Sequence, residues 1–110
     1  MVSASARPVL DDVSPAQAFW TCSGVVIHNL SELARYLAAC SEHDYRYHVN
    51  TDHDKNDFSA WVRDVVRDEV LARNLGQGLT REQYGAKITE RLSELLAWER
   101  DEQIRKMARA

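Results

Sequence analysis

The sequence predicts a mainly α domain, a small helical bundle of four to five helices with a short N-terminal β-hairpin. Three observations point there. Apolar residues recur at helical spacing in separate stretches. Each stretch is preceded by a residue suited to capping a helix. Two short runs rich in β-branched and aromatic residues flank one Gly-containing turn. The chain has 110 residues, 45% of them hydrophobic and 28% charged, with a formal charge of −3. That is enough for one domain with a real core and hardly enough for two.

Residues 1–13 are small, polar or Pro-containing and are expected to form a disordered N-terminal tail. No apolar stretch marks Met1–Leu10 as a secretion signal, so a cytoplasmic protein is expected. Residues 14–98 are expected to form the single folded domain. Ser14-Pro15 opens one short turn, with proline at the first helical position. Phe19-Trp20-Thr21 and Val25-Val26-Ile27 then flank Cys22-Ser23-Gly24 as a hairpin. Such a hairpin is marginal alone and must lie on the helices.

Asn29 and Glu32 have the spacing of a capping box. Leu30, Leu33, Ala34, Leu37 and Cys40 follow on one face. Ser41 and Asp44 offer a cap for a short turn through Tyr45, Tyr47 and His48. Residues 50–57 read as a polar loop. The next helix starts at Asn56 or Asp57 and buries Phe58, Trp61, Val62 and Val65. Val70 and Leu71 leave that face, which predicts a break near Arg67, with Asp68 capping a new turn through Leu75. Gly76 and Gly78 are expected to close it as C-terminal glycines. Thr80 and Gln83 open the last helix, whose core stripe is Tyr84, Ile88, Leu92 and Leu95. Residues 99–110 are nearly all charged and are expected to project as a helical tail.

The surplus negative charge lies in 41–57, which carries 2 basic and 5 acidic residues and His43, His48 and His53. An EF-hand is excluded there. Asp52, Asp54 and Asn56 suit its first ligand positions, but Asp57 stands where glycine is needed and Arg63 where the bidentate Glu belongs. His48, His53 and Asp57 could converge on a divalent transition metal, zinc or nickel by ligand type. The simpler reading makes these Asx residues turn and cap groups. A hydrogen bond from His48 to an Asp of the following loop would pin that loop. The helix dipole would favour a protonated His48 ring.

No nucleophile elbow, zinc-hydrolase motif or phosphate loop is present, so no catalytic set and no cofactor are expected. Cys22 and Cys40 form no paired motif. Cys40 reads as a small buried hydrophobe. Phe19, Trp20, Tyr45, Tyr47, Phe58, Trp61 and Tyr84 read as core. The expected function is a non-enzymatic protein-interaction or regulatory module that self-associates through its last helix or binds another protein. Its interaction residues would be Trp98, Ile104 and Met107. A metal or small-ligand domain built on His48, His53 and Asp57 is one alternative. A nucleic-acid accessory role for Arg63, Arg67 and Arg73 is another, disfavoured by the interleaved Asp64 and Asp68. No membrane partner is expected, because no run approaches the ~20 apolar residues of a spanning helix.

The strings Tyr45-Arg46-Tyr47-His48-Val49-Asn50 and Asn56-Asp57-Phe58-Ser59-Ala60-Trp61 resemble a small domain of unknown function found in archaeal and bacterial proteins. Phe19–Gly24 and Leu30–Ala34 match its upstream pattern. The resemblance spans residues 15–75. It implies a compact, mostly helical unit often attached to other things, and implies no activity and no catalytic residue.

Overall fold

A computed structural model describes residues 7–109. The domain is mainly α with a short antiparallel hairpin near the N-terminus. Its order is α1 (Arg7–Leu10), β1 (Phe19–Trp20), β2 (Val26–Ile27), α2 (Leu30–Ala39), α3 (Glu42–His48), β3 (Val49–Asn50), β4 (Lys55–Asn56), α4 (Asp57–Trp61), α5 (Glu69–Asn74) and α6 (Arg81–Arg109). The first six residues of the expected tail lie outside the described residues. Of its remainder, Arg7–Leu10 form one helical turn, and Val9, Leu10 and Val13 pack against the core.

Local chemistry sets the helix starts. Asn29 Oδ1 accepts the Glu32 N–H at 2.8 Å. The Glu32 carboxylate reaches one residue further back than a capping box requires and accepts from the His28 N–H at 2.7 Å. That bond and the His28 ring hold the Glu32 carboxyl below its usual value. Ser41 caps α3 through the Asp44 N–H. Thr80 and Gln83 bond reciprocally, at 2.9 and 3.1 Å. Asn56 stands at the N-terminus of α4 but does not cap it with its side chain. Its amide instead donates to the Leu75 carbonyl at 2.7 Å and accepts from the Tyr84 hydroxyl at 2.6 Å. Gly76 and Gly78 do not serve as left-handed caps either, since Gly24 is the one described glycine with positive φ. Leu75 closes α5 with φ −91°.

The break after α4 is a π-helical turn over Val62–Val66. The Arg67 N–H donates back five residues to Val62 at 2.8 Å. Arg67 itself is left-handed, with φ 69°. A second small sheet, unforeseen from the sequence, pairs Val49 with Asn56 and Asn50 with Lys55. It folds the polar loop back on itself, with Asp54 left-handed at φ 48°.

The core is aromatic at its centre. Phe19 brings the hairpin onto Phe58, His48 and Trp61, with ring centroids 4.9, 5.1 and 6.0 Å away. Tyr45 packs edge-on to Tyr84 at 5.6 Å. Strand alternation turns Trp20 outward, and Tyr47 is exposed as well, so neither joins the core. Helices α2 and α6 form the main packed pair. Gly85 of α6 faces Leu37 closely enough that an added Cβ would lie 3.7 Å from its Cβ. Arg81 ties the end of α2 down by donating to the Leu37 carbonyl at 2.6 Å. At 29 residues, α6 is about 43 Å long. The whole molecule measures 53 × 27 × 26 Å.

Candidate functional site

Three places hold the residues singled out by the sequence. The first is His48, which is buried. Its Nε2 accepts the Cys22 backbone N–H at 3.0 Å. Its Nδ1 is 2.9 Å from Asp57 Oδ2, and with Nε2 accepting, the Nδ1–H is the donor of that bond. The expected bond from His48 to an Asp of the following loop is present. Both ring nitrogens are engaged, and Asp57 also lies 3.3 Å from the Lys55 ammonium. His53 stands apart, exposed in the turn at 51–53. Among the described residues no three His, Cys, Asp or Glu side chains gather as metal ligands.

The second place is a groove of about 640 Å³ bounded by α1, the π turn, α5 and α6. Arg63, Arg67, Arg73 and Arg91 line it, with Val70 and Trp98 among its apolar residues. The sequence assigned the first three arginines and Trp98 to different functions, and the fold brings them together. Asp68 organises the wall. It is buried, caps α5 through the Leu71 N–H at 3.2 Å, and takes both Nε and Nη2 of Arg91 at 2.8 and 3.2 Å. These bonds hold the Arg91 guanidinium above its ordinary value. Arg63 is engaged by its neighbour Asp64 at 2.9 Å.

The third place is the far half of α6. Leu95 is the last buried residue of that helix among those whose burial is described. Beyond it Leu96, Ile104 and Met107 are exposed, at 58%, 56% and 75%. At about 100° per residue these three fall within an arc of roughly 80°. The buried stripe of Tyr84, Ile88 and Leu95 lies about 140° away. Trp98 lies about 180° from Met107 and faces the groove instead. The expected set of Trp98, Ile104 and Met107 is therefore two surfaces rather than one.

Neither thiol is activated. Burial pushes both Cys22 and Cys40 above the usual thiol value, and both are free. No described helix is long and apolar enough to cross a membrane. No protein-family model, curated protein or solved structure matches the chain. The comparisons therefore add no site residue to those found by geometry.

Proposed function

We propose that this chain is a non-enzymatic interaction module that pairs with a second copy of itself through residues 96–107 of α6, in antiparallel orientation. The observation that carries this is the apolar face of Leu96, Ile104 and Met107, held out beyond the core by a continuous helix. Charge supplies the direction. Glu99 and Lys106 are seven residues apart, so they share one flank of that face. A two-fold antiparallel pair sets Glu99 of each copy near Lys106 of the other. Arg100 lies on the face itself and can lay its aliphatic stem along it. The surface is small, so the dimer is weak and concentration-dependent. A reducing, cytoplasmic setting suits the two free thiols.

Sedimentation velocity over a concentration series tests this. The parent should dimerise as concentration rises, and Met107→Glu should remain a monomer with unchanged helical content. Glu99→Lys and Lys106→Glu should each weaken the dimer, and the double variant should restore it. A strictly monomeric parent at every concentration refutes self-pairing. A dimer indifferent to both charge changes refutes the antiparallel arrangement.

A further inference from the structure

Two guanidinium groups in the groove have no acidic partner among the described residues, and one of them is held there against a backbone preference. Arg63 and Arg91 are engaged by Asp64 and Asp68. The side chains of Arg67 and Arg73 make no ion pair with a described residue. Glu69 lines the same groove without an ion pair to a described residue, leaving two guanidiniums against one carboxylate. Arg67 has φ 69°, a conformation that glycine adopts without strain and other residues adopt at a cost. A long cationic side chain nevertheless occupies this position, directly after a π-helical turn, a feature often found at functional sites. Val70 and Trp98, exposed at 47% and 38%, give the groove an apolar side.

We propose that this groove binds an acidic peptide segment of a partner protein. Carboxylates of the peptide engage Arg67 and Arg73, and an apolar side chain lies against Val70 and Trp98. The planar guanidinium matches a carboxylate with two parallel hydrogen bonds. Trp and Arg are the residue types that most often dominate interface energy. Asp64 and Glu69 interrupt the positive field. That suits separated carboxylates on an extended peptide and disfavours the unbroken phosphate run of a nucleic acid. This surface is distinct from the exposed face of α6, so the proposal does not depend on self-pairing.

The test is fluorescence anisotropy of a fluorescein-labelled, glutamate-rich peptide carrying one leucine, with labelled single-stranded DNA as the second probe. Arg67→Gly and Arg73→Ala should each weaken peptide binding by about tenfold or more, the equivalent of one charged hydrogen-bonding group. Arg35→Ala, on the exposed side of α2, should leave it unchanged. Arg67→Gly relieves the left-handed backbone and should unfold at no lower denaturant concentration than the parent, which separates lost binding from lost fold. Absence of peptide binding by the parent, or binding by both arginine variants as tight as the parent's, overturns the proposal. Tighter binding of the DNA through the same two arginines overturns it in favour of a nucleic-acid site.

Discussion

Replacing Asp68 with alanine removes two interactions at once, and their separate contributions can be worked from the geometry. The carboxylate caps α5 at the Leu71 N–H, and a lost N-cap costs about 1 kcal/mol. It also holds Arg91 through two bonds, with the Asp68 side chain 2% exposed and the Arg91 side chain 18%. Breaking a fully buried pair costs about 3–5 kcal/mol. Arg91 is partly exposed and has Glu94 at 3.1 Å as a second partner, so about 2 kcal/mol is the better figure here. Asp68→Ala should therefore lose about 3 kcal/mol. Asp68→Asn keeps an acceptor for the cap and should lose about 2 kcal/mol. Urea denaturation followed by circular dichroism reads both as shifts in midpoint at constant slope. The cycle with Arg91→Ala should return a coupling of about 2 kcal/mol. A loss below about 1 kcal/mol for Asp68→Ala, or a coupling near zero, would show that α5 is held to α6 by its apolar contacts alone.

Two further outcomes follow from the aromatic centre. Burial raises the Tyr84 hydroxyl far above its ordinary 10.0 and pushes Tyr45 up to about 12. Their contribution to stability is fully present below pH 10 and is lost as pH rises through the folded values. Alkaline titration should therefore show tyrosinate absorbance developing together with loss of helical signal, and Tyr84→Phe should remove part of that dependence. His48→Phe keeps a ring against Phe19 and Phe58 but strips partners from the Cys22 N–H and Asp57. It should cost about 3 kcal/mol in thermal denaturation, and a cost near zero would mean that water replaces both bonds.

What the sequence made legible was local. Asn29, Ser41, Asp68 and Thr80 cap helices because a side-chain oxygen three residues before an N–H can reach it whatever the rest of the chain does. The break before Asp68 was legible because Val70 and Leu71 leave the face set by Phe58 and Trp61. What was missed was long-range. Asn56 has the right chemistry for a cap, yet Tyr84, 28 residues on, and Leu75 take its amide. Gly76 and Gly78 read as caps because glycine favours that position, but Leu75 ends the helix without a left-handed residue. Pairing of β3 with β4 depends on a two-residue register that no periodicity reveals. The ridge of Arg63 and Arg67 was visible as spacing, four residues apart. That Arg91 and Trp98 would close it into a groove was not, because α6 meets α5 only through the tertiary fold.

The frontier between Leu95 and Trp98 shows how one helix can serve two purposes. Up to Leu95 the core determines which residues α6 buries, and the helix is stabilised by packing more than by its own propensity. Past that point propensity must do more, and i,i+3 pairs such as Glu102 with Arg105 at 2.5 Å replace the lost contacts. Trp98 sits where the two regimes meet, with its indole turned to the groove, while Met107 points about 180° away. A partner laid along Leu96, Ile104 and Met107 therefore leaves the arginines of the groove uncovered. A peptide in the groove likewise leaves the outer face of α6 free. If two copies pair as proposed, each would keep the proposed peptide groove open, and a partner carrying two acidic segments would then engage both at once, so that weak individual contacts gain strength through bivalency.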